Sequence, residues 1–276
     1  MRRWVLGLAL VLAATSAVQA DEVRFGHAAT TTALRAPVAP YEWAVSASFG
    51  ALWLVEGLAE SNKWFPTACT FCGTLPLDMR ARVRLRQYGR EESFRTASDV
   101  GVQVLIGAGL ASTVVWSVGS RDWRPAWTVV ETVLISGGAN AALKSLTARA
   151  RPYTREERPA KLSPSQLASF PSGHASFAFN LATAITLGAR DVGWPVWLVA
   201  ATSYPMAGFV AYARVAGDRH WLTDVTVGAA MATAITGGVW KLRQWQARRQ
   251  LPVSVSVGSV AEAGTAQGLS LHYALK

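Results

Sequence analysis

His220 and Asp224 stand four residues apart, with Arg214 just ahead of them. On one face of a helix that spacing lets the carboxylate hold one ring nitrogen, which fixes the tautomer and leaves the other nitrogen as a lone-pair nucleophile. A His–Asp pair of this kind serves structure as well as catalysis. Phe170-Pro171-Ser172-Gly173-His174 opens an apolar helical run. There Ser172 can cap, Gly173 admits close backbone approach, and the free N–H groups of the first turn attract an anion. His174 could donate to whatever that helix end binds, although an ordinary Ser-capped helix with an incidental histidine reads the same way. Lys144 and Arg151 are seven residues apart, close to two helical turns, which predicts both on one face before Pro152 stops the helix. Two cations on one face of an apolar segment require an anion between them, or else snorkel to an interface.

The elements that must carry these groups are long and weakly charged: 100–120, 126–146, 172–189, 192–213 and 222–240. Each is about 20 residues, the length that crosses a bilayer. They are rich in Gly, Ala, Ser and Thr, as close-packed helices are in a membrane or in a buried bundle. Short loops between most of them favour antiparallel neighbours. Upstream, 41–59 reads as a helix holding Glu42 and Glu56, and 60–97 as polar and irregular, with Cys69-Thr-Phe-Cys72 and six arginines from Arg80 to Arg95. That arginine cluster is expected to be a solvated face, with attraction to anionic headgroups as the alternative. Downstream, Val253, Val255 and Val257 alternate with Ser, 264–268 interrupts, and Leu269, Leu271, Tyr273 and Leu275 alternate again, a hairpin pattern. His27, in an arm at 21–40, and His272, in the hairpin, are expected at the surface.

Composition narrows the classes. Lys and Arg number 27 against 17 Asp and Glu, for a net charge of +10, but charged residues are only 16% of a chain that is 51% hydrophobic with 12 Trp. Charge this sparse argues against a disordered or nucleic-acid-tail protein. Two cysteines cannot make a disulfide framework or a four-thiolate zinc site, and a single CxxC without a βαβ context does not read as a redox motif; after export it fits a disulfide. Met1-Arg2-Arg3, an uncharged run from Trp4 to Val18, and Val18 and Ala20 before Asp21-Glu22 fit an exported leader with a cleavage site, or an uncleaved anchor. The expected organisation is a signal peptide at 1–20, an arm, first helix and Arg-rich loop at 21–97, a helical catalytic domain at 98–245 and a hairpin tail at 250–276.

Together the three clusters, Lys-x6-Arg-Pro, Pro-Ser-Gly-His and Arg-x5-His-x3-Asp, resemble the signature of the type 2 phosphatidic acid phosphatase superfamily, which also contains bacterial acid phosphatases and vanadium haloperoxidases. The resemblance covers 144–224 closely and about 98–242 loosely. It implies an all-α protein: an antiparallel bundle of five or six long apolar helices, here with a small C-terminal β-hairpin. It also implies roles. His220 would attack phosphorus to form a phosphohistidine, Asp224 would orient it, and His174 would protonate the leaving alkoxide and then activate water. Lys144, Arg151, Ser172, Gly173 and Arg214 would hold the phosphoryl oxygens, so that fixed cations replace a metal and no cofactor is needed. One departure is Ala213, where the family usually has Ser.

A protein this apolar points to a phosphorylated lipid or polyprenyl diphosphate substrate, a membrane and no nucleic acid. Soluble broad-range acid phosphatase, vanadium-dependent haloperoxidase and non-catalytic scaffold are the other readings. If the leader is cleaved and 41–59 does not cross, the loops from Thr147 to Pro171 and from Arg214 to Trp221 face outside; a crossing by 41–59 would turn them, and the Arg80–Arg95 cluster, to the cytoplasm. The expectation is therefore an exported chain in the bacterial inner membrane with a periplasm-facing site, or in the periplasm itself.

Overall fold

The computed structural model describes residues 38–61, 66, 68–71, 73–157, 161–249, 255–256 and 270–271. The leader at 1–20, His27, Cys72 and His272 lie outside the described residues. Among the described residues nine helices follow one another: α1 Pro40–Ser61, α2 Pro76–Leu85, α3 Glu91–Ser120, α4 Arg124–Thr147, the short α5 Thr154–Glu157 and α6 Pro164–Leu167, then α7 Gly173–Asp191, α8 Val196–Ala216 and α9 Leu222–Arg249. Helix starts use the usual signals. Proline occupies the first turn of α2 and α4, and the Glu42 carboxylate accepts from Ala39 N at 2.7 Å at the start of α1. Val255 pairs with Leu271 and Ser256 with Ser270 in an antiparallel ladder; the rest of the expected tail hairpin lies outside the described residues.

The long helices alternate in direction. α7 runs through the middle against α3, α4, α8 and α9, and its Ala-rich inner face meets Leu105, Trp116, Val129, Val210 and Trp240 in the main apolar core. α1 lies parallel along α4: the Trp43 and Trp127 rings meet at 3.7 Å, and Glu56 reaches Lys144 at 3.4 Å. Gly138 makes that approach possible, because a Cβ there would fall 2.3 Å from the Phe49 carbonyl oxygen. Much apolar surface is left outward, including Leu54, Leu110, Val118 and Trp197. By length and composition, α3, α8 and α9 are apolar enough to cross a membrane.

Three local expectations are corrected. The stretch 60–97 is not irregular throughout, since it holds α2 and the start of α3. Its arginines are not all a solvated face: Arg82 donates to Asp218 at 2.7 and 2.6 Å, and Arg86 pairs with Glu91, Glu156 and Asp218, both side chains being about nine-tenths buried. Lys144 and Arg151 do not share a helix face. Ala148, at φ 40°, ends α4 and turns Arg151 into the following loop.

Candidate active site

One end of the bundle gathers the loop after α4, the start of α7, the end of α8 and the start of α9. His220 sits in the turn between α8 and α9, almost fully buried. Its Nδ1 lies 2.7 Å from the Ser169 carbonyl. A carbonyl only accepts, so Nδ1 carries the proton and Nε2 keeps a lone pair. Arg151 Nη1 donates to that lone pair at 3.1 Å. Burial, then the cations of Arg151 and Arg214, hold the imidazole well below its ordinary value of 6.5. It is therefore neutral at pH 7, as a nucleophile must be.

Asp224 stands farther from the ring than the sequence spacing predicts, at 3.6 Å from Nδ1, because α9 begins only at Leu222 and His220 precedes it. The carboxylate is fully buried. It accepts from Arg149 Nη1 at 2.5 Å, Ser169 Oγ at 2.5 Å and Trp221 N at 2.8 Å. The direct acceptor for His220 is thus the Ser169 carbonyl, and Asp224 holds Ser169. Neither Ser169 nor Arg149 stands out in the sequence, since a backbone acceptor has no side-chain signature and Arg149 falls inside the Lys-x6-Arg gap.

Ser172 caps α7, its hydroxyl accepting from Ala175 N at 3.4 Å while its own N–H donates to the Asp224 carbonyl at 3.0 Å. Gly228 lets α9 close on this turn, because a Cβ there would meet the Ser172 carbonyl at 2.8 Å. Lys144 Nζ reaches the same helix start, 3.8 Å from the point where a Cβ on Gly173 would lie. His174 Nε2 donates to Asp99 Oδ1 at 2.8 Å. Arg214 Nη1 reaches the same Asp99 oxygen at 3.4 Å and Ser98 Oγ at 3.0 Å. The hydroxyl beside Arg214 therefore comes from α3, while its neighbour Ala213 is fully buried. Ser98, Asp99 and Glu56 escape sequence reading because they belong to helices far from the three motifs.

Two cavities meet this end. A cationic one of about 230 Å³ is lined by Arg95, Arg151, Tyr153, Ser165, Arg214 and Arg219. A largely apolar one of about 300 Å³ runs between α1, α3, α4 and α7, past Trp53, Ile106, Val133 and Phe177, with Lys144, Gly173 and His174 among its walls.

Known proteins share parts of this chain. Residues 125–248 match the family model of the PAP2 superfamily. A lipid A 1-phosphatase of Porphyromonas gingivalis is 36% identical over 69 residues, which is 24% of this chain and 14% of that protein's length. Among solved structures, Aquifex aeolicus LpxE is 19% identical, with 61% of this chain and 96% of that one covered and a TM-score of 0.45. A transmembrane PAP2 type phosphatidylglycerolphosphate phosphatase from Bacillus subtilis is 17% identical, with 74% and 96% covered and a TM-score of 0.48. The segment matched to the PAP2 superfamily model opens in the first turn of α4 and closes in the last turn of α9, taking in all eight residues singled out by the three motifs.

Proposed function

We propose that this chain is a metal-independent phosphatase that cleaves a phosphomonoester or diphosphate on a lipid through a phosphohistidine. The observation that carries it is a buried, neutral imidazole whose bare Nε2 faces a guanidinium beside an arginine-lined cavity. An anionic phosphoryl group draws Arg151 toward its own oxygens and exposes the lone pair. Nε2 attacks phosphorus, the bond to the leaving oxygen breaks, and His174, as the imidazolium that Asp99 and the bound phosphoryl charge favour, delivers a proton to that oxygen. Water then attacks the phosphohistidine, His174 takes its proton, and the P–N bond returns its electrons to Nε2. Arg151, Arg214, Lys144 and the N–H groups at the start of α7 balance the developing negative charge, the task magnesium performs elsewhere. Ser172 acts chiefly through the cap.

A lipid substrate is supported by the outward apolar surface, by three helices fit to cross a membrane and by the lipid A 1-phosphatase match. That apolar surface argues against the soluble acid phosphatase reading. The test is phosphate release in detergent with EDTA by wild type and His220→Ala, on phosphatidic acid, a polyprenyl diphosphate and p-nitrophenyl phosphate, with acid-labile labelled phosphoenzyme trapped in parallel. Turnover that survives EDTA, falls with vanadate and vanishes in His220→Ala supports the reading. Equal release by both proteins overturns it.

For sidedness, a periplasm-facing site requires that α1 enter from the cytoplasm, because α1 runs parallel to α4 from the far end to the site end. A translocated leader followed by α1 as a crossing gives a second reading, with the site toward the cytoplasm. The basic site-end loops favour that second reading. Labelling of Lys161→Cys and Arg190→Cys by an impermeant maleimide in spheroplasts separates the two. Label taken up by the Lys161→Cys variant supports the periplasmic site, and label taken up by the Arg190→Cys variant supports the cytoplasmic one.

A further inference from the structure

Helix α2 lies outside the segment matched to the family, yet it grips the turn that carries His220 from two sides. Asp78 is fully buried. It accepts from Thr223 N at 2.9 Å, Thr223 Oγ1 at 2.8 Å and Arg149 Nη2 at 2.6 Å. Arg149 in turn donates to Thr223 Oγ1 at 2.8 Å and to Asp224 Oδ1 at 2.5 Å. From Asp224 the run continues through Ser169 Oγ to the carbonyl that receives the His220 Nδ1 proton. Farther along, Arg82 and Arg86, the latter just past the end of α2, hold Asp218, which sits at φ 55° two residues before His220.

We infer that Asp78 is a positioning residue for the nucleophile: through Arg149 and Thr223 it holds Asp224 and Ser169, and so fixes the direction of the His220 lone pair. The inference rests on the phosphatase reading above. The physics is that of a closed buried network. Arg149 is fully enclosed and is shared by two carboxylates, so each partner sets where the fork can lie. Asn at 78 keeps the shape but replaces one acceptor oxygen by an amide donor, set against either the Thr223 N–H or the Arg149 guanidinium, so one of the two holds is lost and Asp224 is free to shift. In-line attack on phosphorus is sensitive to such shifts, since a displacement of about 1 Å can cost about a hundredfold in rate. Substrate binding is much less sensitive, because Lys144, Arg151, Arg214 and the α7 N–H groups make no bond to Asp78.

The test compares Asp78→Asn with Thr223→Val, which removes only the hydroxyl between Asp78 and Arg149, and with Glu156→Gln, a half-exposed α5 residue paired with Arg82 and Arg86. The expected result is a kcat lowered roughly 10- to 100-fold in Asp78→Asn and less in Thr223→Val. KM and the dissociation constant for vanadate should stay within about threefold of wild type, and Glu156→Gln should be unchanged. Vanadate binding counts competent sites, so a kcat per site is read even if part of the protein is unfolded. Wild-type kcat per site in both Asp78→Asn and Thr223→Val overturns the inference, as does a loss confined to the number of sites. If wild type is inert on every substrate, or indifferent to His220→Ala, the phosphatase reading itself fails, a result distinct from either.

Discussion

Arg149 and Arg243 lie at opposite ends of one bundle, each fully buried and each set between two carboxylates. Arg149 joins Asp78 to Asp224. Arg243 donates to Glu131 from Nε at 2.9 Å and Nη2 at 2.6 Å and lies 3.5 Å from Glu42, which also accepts from Gln246 at 2.8 Å. In composition the two clusters are near copies. Their surroundings differ. The Arg149 cluster leads by hydrogen bonds to an imidazole whose unprotonated nitrogen accepts from Arg151 at the wall of the cationic cavity, whereas the Arg243 cluster ties α1, α4 and α9 together. Buried charge alone therefore does not mark a site. What marks it is the presence, one bond away, of a group with unused reactivity.

The contrast can be broken at several points. His220→Ala should lower kcat by at least about 10³-fold while leaving the fold intact, read as phosphate release per vanadate-binding site. Arg243→Met should do the reverse. Leaving two carboxylates uncompensated costs about 3–5 kcal/mol of stability, seen as a lower denaturation midpoint, with kcat of the folded fraction unchanged. A large kcat loss in Arg243→Met would erase the distinction between the two ends. Acid should act unequally too. The unfolded His220 ring takes up a proton near pH 6.5 but the folded ring does so only well below it. Lowering pH through 6.5 thus favours the unfolded chain by up to about 1.4 kcal/mol per unit for this group. His220→Gln should flatten that loss and Arg243→Met should not, in melting curves from about pH 7.5 to about pH 5, the range that brackets the ordinary histidine value. Smallest of all, Glu156→Gln breaks half-exposed ion pairs to Arg82 and Arg86 and should change stability by less than about 1 kcal/mol.

The comparison also explains what the sequence made legible. Five long weakly charged runs correspond to α3, α4, α7, α8 and α9 because length, apolar content and sparse charge alone suffice to mark helices that are apolar on most sides. α2 left no such trace. Besides the small Ala81, the side chains that it and its C-cap turn inward are Asp78, Arg82 and Arg86, so its inner face looks solvated until its partners are known. The motif residues were legible by type and spacing, but not their hydrogen bonds. Lys144 and Arg151 look like one helix face because nothing in the sequence announces that Ala148 takes a left-handed turn. His220 and Asp224 look like a direct pair because helix entry at Leu222 cannot be read to the residue. Ser169, Ser98, Asp99 and Asp78 come from elsewhere in the chain and enter only by folding.

The bond from Arg151 to His220 Nε2 has a chemical consequence of its own. In the proposed reaction the Arg151 guanidinium sheathes the attacking nitrogen, and only negative charge would draw that sheath away. An electrophile without an anionic oxygen, such as a phosphotriester, offers the guanidinium nothing to exchange for the imidazole and meets a masked lone pair however good its leaving group. Monoesters and diphosphates arrive with the charge that unmasks it. In the proposed reaction, triesters and anionic esters would thus be told apart before any bond to phosphorus begins to form.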